Sequence, residues 1–304
     1  MAVDQNSDTW VPPCDLCGSF RYETIKLSAG TVARRCRDCG LVSVTHANGH
    51  RAGGYAAVRI PDGLLVGAIK GSRDARTALV IGAPSTELVE AAAAADIDLT
   101  ALVEPGHGKI PGITTHEASF DAAGFVPDKF DLILCARGLE TFPSLSLLFD
   151  RARYWLVPGG TLLVGALNFE SLPARLRRRN WLQRYTMSAE HLLGLSTLKG
   201  FARRFGFDIK SVRTRSRTEE VASIITGREH AMWVTEMALA PLALTASLLG
   251  MGVIVVMEMR KAGLVMRPIL RDVEEEVEGS PGLAPALYTS VRRDGVEGSV
   301  VVGG

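Results

Sequence analysis

Phe130-Asp-Leu-Ile-Leu-Cys135 and Gly160-Thr-Leu-Leu-Val-Gly165 bracket a helix-length segment from Ser144 to Leu156, and this strand–helix–strand reading decides the fold. Both runs are apolar almost throughout, as strands buried on both faces are, and parallel neighbours need a crossover of that length. The alternation extends upstream. Thr77-Ala-Leu-Val-Ile-Gly82 reads as a buried strand, Glu87 to Ala95 as an Ala-rich helix and Leu99-Thr-Ala-Leu-Val-Glu104 as a second strand. The expected class is therefore α/β, with a doubly wound, mostly parallel sheet over residues 64–262. Such a sheet binds its ligand outside the carboxyl ends of its strands, near the reversal in strand order.

Two knuckles of identical spacing precede this domain, Cys14-Asp-Leu-Cys17 and Cys36-Arg-Asp-Cys39. Eighteen residues separate them, enough for a hairpin that brings the pairs face to face. Cys14, Cys17, Cys36 and Cys39 are thus expected to hold a structural zinc ion in a module over residues 10–45. With protein in all four positions, no place is left for a catalytic water. Disulfides would need an oxidising compartment, and the opening residues MAVDQNSDTWVP lack the apolar core of a secretion signal. A reducing, cytoplasmic setting is expected.

The charge is balanced, 34 Lys and Arg against 33 Asp and Glu, which argues against nucleic acid as the main partner. The apolar share of 47% is that of a globular protein. Met237 to Met257 carries no charge and is long enough to span a bilayer. Pro241, Gly250 and Gly252 divide it, however, into an Ala/Leu-rich half and a β-branched half. A helix followed by a core strand is expected there, not a membrane contact. Residues 263–304, acidic and then rich in Gly, Pro and Val, read as a flexible tail.

Taken in order, several pieces resemble the class I S-adenosylmethionine-dependent methyltransferases that carry an N-terminal zinc ribbon, a group that includes sugar C-methyltransferases. The resemblance rests on Cys36-Arg-Asp-Cys-Gly-Leu-Val42, Phe130-Asp-Leu-Ile-Leu134, Gly138-Leu-Glu140 with Pro143, and Val157-Pro-Gly-Gly160. It continues through Asn168, Arg175 to Trp181, Glu190-His191-Leu192 and Phe205-Gly-Phe207, covering residues 12 to 262. It implies a Rossmann-like fold, S-adenosylmethionine as cofactor and methyl transfer to a small acceptor. On that footing Gly82 and Ser85 belong to the cofactor loop, and Glu104 accepts from the ribose diol. Ser119 meets an adenine edge, and Cys135 ends a strand near the cofactor. Glu140 matches the glutamate of the family's Glu-His pair, and His191 is the general-base candidate. Arg178, Arg179 and Tyr185 suit an anionic acceptor such as a nucleotide-linked sugar.

The cofactor loop departs from that pattern. Val80 replaces an acidic residue, Pro84 and Thr86 stand where glycines are expected, and Thr141 replaces the histidine of the Glu-His pair. The stretch from Gly106 to Gly112 is short where the family has a helix. These departures point to a second reading, a methyltransferase-like subunit that has lost S-adenosylmethionine and binds or scaffolds a protein partner.

Overall fold

The computed structural model describes residues 12–28, 31–46, 60–176, 181, 189–216, 218, 221–222, 225 and 233–263. Arg178, Arg179, Tyr185 and the tail lie outside them. The described residues, all of them up to Gly263, form one compact unit.

The main sheet has seven strands: β4 (Thr77–Ile81), β5 (Asp98–Val103), β6 (Thr114–Glu117), β7 (Phe130–Cys135), β8 (Leu156–Leu167), β10 (Phe207–Arg215) and β11 (Ile254–Lys261). Their spatial order is β10-β11-β8-β7-β4-β5-β6. Pairing is parallel from β6 to β8, while β11 runs antiparallel to both β8 and β10. Counted along the chain within this sheet the order is 3-2-1-4-5-7-6, so the reversal falls between β4 and β7. The Rossmann-like, doubly wound α/β fold expected from the sequence is present.

Alternation along each strand supplies two cores. On one face Ala78, Val80, Leu132 and Leu134 pack on α1 (Asp62–Gly71) and α2 (Thr86–Ala94) through Leu65, Ile69, Leu88 and Ala92. On the other Leu79, Ile81, Ile133 and Cys135 pack on α3 (Leu145–Trp155) and α5 (Leu195–Arg204), with Leu148, Phe149 and Phe201 fully buried. Buried apolar surface on both faces is what holds a sheet of this kind. After Val103 the chain makes only turns before entering β6 at Thr114, so the expected missing helix is indeed missing. The charge-free run splits as expected, into α6 (Trp233–Leu248) and β11, although Pro241 lies inside the helix. No helix among the described residues is long and apolar enough to cross a membrane. A short helix α4 (Leu172–Leu176) follows β8.

The N-terminal module is an antiparallel ribbon of β1 (Tyr22–Ser28), β2 (Thr31–Cys36) and β3 (Val42–His46). Its sheet continues into the larger domain, because the two-residue strand β9 (His191–Leu192) pairs with β3, Val42 opposite Leu192 and Ser43 opposite His191. A second joint lies at the first knuckle. The Asp15 carboxylate accepts from the backbone amides of Leu145 (2.5 Å) and Ser146 (3.1 Å), and from the hydroxyl of Ser144 (3.0 Å). Those amides open α3, where nothing within the helix can bond them, and a negative charge is favoured there. Ser144 caps the next amide, Leu147. Arg204 of α5 donates to the Leu16 carbonyl. Asp15→Ala is expected to cost about 2 kcal/mol, the worth of a charged cap on two helix amides, and Asp15→Asn less. Urea denaturation of both variants checks this. Equal midpoints for Asp15→Ala and the parent would contradict the latch.

Candidate functional site

The ribbon and the sheet edge each gather chemistry. In the ribbon the four sulfurs lie within 4.8 Å of one another, with Cys14 Sγ 3.4 Å from Cys39 Sγ and Cys17 Sγ 3.5 Å from Cys36 Sγ. The knuckles are built alike. The Gly18 amide donates to the Cys14 carbonyl and the Gly40 amide to that of Cys36, at 2.7 and 3.0 Å. Both glycines have φ +76°, a conformation that favours glycine. Burial pushes the Cys14 thiol up to about 11 and raises Cys39 further. Burial also acts on Cys36, but amides of Cys39 and Asp38 outweigh it and bring that thiol down to about 7. Sulfurs this crowded need a cation to exist together as thiolates, so the set fits a tetrahedral Zn²⁺.

At the sheet edge Gly82 directly follows β4 with φ +105°, its amide donating to the Leu102 carbonyl at 2.8 Å. A Cβ at this position would lie 3.6 Å from Ala136 Cβ and 3.9 Å from the Arg137 stem. The positive φ requires glycine and leaves bare backbone at the carboxyl end of the first parallel strand. Ser85 caps α2 by accepting from the Leu88 amide at 3.3 Å. Glu104 follows β5 directly, its side chain 62% exposed. These three stand together beside the reversal of strand order. Ser119 lies past the edge strand β6, in a turn held by Arg151, which donates to the carbonyls of Phe120, Asp121 and Ala123. Cys135 is fully buried, and that burial pushes its thiol up to about 12. Its side chain belongs to the core beneath the edge.

Sequence reading missed Arg137, two residues beyond β7. Its guanidinium donates to Glu104 Oε1 at 3.0 Å, to Thr141 Oγ1 at 3.1 Å and to the Thr141 carbonyl at 3.4 Å. It lies 4.6 Å from the centre of the Phe142 ring. The residue type was legible, but its partner is 33 positions away and only the parallel sheet brings the two together. Thr141, noted in the sequence as a missing histidine, is thus an arginine ligand.

Glu140 and His191 meet at the joint between ribbon and sheet. Glu140 is 2% exposed, with Oε2 accepting from the Leu167 amide at 3.1 Å and Oε1 buried without a partner among the described residues. A Cβ at Gly138 would stand 2.1 Å from Oε1, so a side chain there would have to displace the carboxylate. The Glu190 amide, one residue before His191, donates to the Glu140 carbonyl at 2.7 Å. His191 is 5% exposed, with Nε2 3.3 Å from the Pro143 carbonyl and Nδ1 3.4 Å from Ser43 Oγ of the ribbon. Burial lowers its pKa.

Burial raises the Glu140 carboxyl from about 4.5 to about 7, against the pull of the Leu167 amide and Arg137. The folded protein therefore holds this proton where the unfolded chain has released it. The stabilisation is full below the unfolded value and is lost as pH rises through about 7. Glu140→Gln, isosteric and uncharged, is expected to raise stability at pH 8 by on the order of 2 kcal/mol and to change little at pH 4. Denaturation midpoints across that range check it. A parallel pair of profiles would contradict an ionisable, desolvated carboxyl.

An open depression of about 470 Å³ is lined by Lys109, Ile110, Pro111, Ile113, Thr114 and Thr115 beside the edge strand. None of the expected site residues lines it.

No protein-family model matches the chain, and no curated protein matches it in sequence. Among solved structures it is similar to an S-adenosylmethionine-dependent methyltransferase from Mesorhizobium loti, at 16% identity over 64% of this chain and 96% of that one, with a TM-score of 0.43. It is also similar to phosphoethanolamine N-methyltransferase 2 of Haemonchus contortus in complex with S-adenosyl-L-methionine. There the identity is 15% over 66% of this chain and 53% of that one, with a TM-score of 0.44. The YcgJ protein of Bacillus subtilis gives 12% over 66% and 100%, with a TM-score of 0.46.

Proposed function

We propose that the protein is a cytoplasmic S-adenosylmethionine-dependent methyltransferase acting on a small, anionic acceptor such as a nucleotide-linked sugar, with a structural zinc ion in its ribbon. The observation that carries this is the pairing of Gly82 and Glu104. They lie at the carboxyl ends of adjacent parallel strands, the first with φ +105°, beside the reversal of a 3-2-1-4-5-7-6 sheet. Glycine lets a ligand approach the backbone closely, and an exposed carboxylate at the next strand end can accept from a diol. The cofactor would supply an electrophilic methyl group on sulfur. The chain's part is then to position the two reactants and exclude water, with a base needed only for an acceptor that must lose a proton.

In this reading Glu140 and His191 are positioning residues. They fix the turn carrying Arg137 and Thr141 against the ribbon, and both His191 ring nitrogens face protein atoms. Arg178, Arg179 and Tyr185 remain the proposed acceptor contacts. The four cysteines hold the zinc, and Asp15, between two of them, carries the metal's order into α3.

A second reading, a subunit that binds a protein partner without the cofactor, is favoured by two features of the same edge. Val80 is fully buried where an acidic residue is expected, and Arg137 is bonded to the very carboxylate that would receive the ribose. Photocrosslinking with methyl-labelled S-adenosylmethionine, chased by unlabelled S-adenosylhomocysteine, separates the two. Chaseable label on peptides of residues 77–104 is expected. Label that ignores the chase would exclude the cofactor from this edge.

A further inference from the structure

Arg137 sits where a cofactor would have to be admitted. Its stem packs over Gly82, its guanidinium holds Glu104 Oε1, and Thr141 and Phe142 support it from the following turn. A ribose diol is best held by both oxygens of one carboxylate, and here one oxygen already receives a charged N–H.

We infer that Arg137 competes with the ribose for Glu104, so that this chain opposes its own cofactor with a built-in ion pair. The inference rests on the methyltransferase reading above. The pair is half-open to solvent, Arg137 28% and Glu104 62% exposed, so its strength is that of a surface ion pair. It tunes affinity and does not abolish it. The carboxylate is also held in place by the pair, so removing the arginine frees both oxygens without removing the diol's partner. Arg137 is therefore a specificity-setting residue, one that selects for ligands able to displace a guanidinium.

The test is calorimetric titration of full-length, zinc-loaded parent and Arg137→Met protein with S-adenosylmethionine and S-adenosylhomocysteine. Methionine keeps an apolar stem over Gly82 and loses the charge and the donors. The variant is expected to bind both ligands roughly fivefold more tightly, the fold-change that corresponds to a surface ion pair. Arg137→Lys, which keeps the charge and loses the fork, is expected to lie between. Raised salt, which screens the pair, should bring the parent closer to Arg137→Met. If the parent binds and Arg137→Met binds equally or more weakly, the competition is overturned while the methyltransferase reading stands. If neither folded protein binds either ligand, both fall. Binding by the variant alone would overturn the modest, surface-pair strength assigned here.

Discussion

Cys14→Ser is expected to release the zinc and to cost the ribbon its fold. Metal binding in a closed four-thiolate site is folding free energy, on the order of 10 kcal/mol in isolated zinc modules. Within the ribbon itself little else holds it together. Its own buried apolar side chains are few, Leu16, Ala33, Leu41, Val42 and Val44 among them. The loss should reach the larger domain by two routes. Asp15 would leave the amides of Leu145 and Ser146 unbonded, and β9 would lose its partner β3. The main sheet keeps its two cores and should stay folded, less stable by about the 2 kcal/mol assigned to the Asp15 cap. Two observables follow for Cys14→Ser: zinc content falls to zero, and hydrogen exchange quickens at residues 145–147 and 191–193 while β4, β7 and β8 stay protected. Unchanged metal content, or exchange confined to the ribbon, would contradict this coupling.

Glu104→Ala is expected to weaken cofactor binding by roughly a thousandfold. Two hydrogen bonds from a ribose diol to one carboxylate are charge-assisted, about 2 kcal/mol each, and about 4 kcal/mol is close to three decades in affinity. The loss of the Arg137 pair offsets only a small part, since that pair is exposed. The apo protein should melt almost where the parent does, because Glu104 is a strand-end side chain with one exposed ionic partner. Glu104→Gln should fall between, keeping one acceptor and losing the charge. Equal affinities for parent and Glu104→Ala would make the carboxylate a strand end and nothing more.

The fold was legible because its signals are local. Apolar runs at 77–82, 99–104, 130–135 and 160–165, with helix-length spacers, fix strand type and crossover, and the knuckle spacing fixes the ribbon. Even the charge-free run from Met237 to Met257 divided as its glycines indicated, into α6 and β11. What sequence reading did not reach is long-range. Asp15 and Leu145 lie 130 positions apart, and the role of Asp15 as a helix cap depends on how the ribbon docks. The pairing of Arg137 with Glu104 needs β4 between β5 and β7, a matter of strand order. Exposure was equally hidden. A resemblance places Cys135, Glu140 and His191 near the site, but only packing shows all three buried at 5% or less.

The central claim is that this edge binds S-adenosylmethionine despite its altered loop. Calorimetric titration of the zinc-loaded parent with S-adenosylmethionine and S-adenosylhomocysteine tests it most directly. The account predicts one site per chain with micromolar affinity for each ligand. No heat at millimolar ligand, from protein shown by its melting transition to be folded, would contradict it and turn attention to a protein partner.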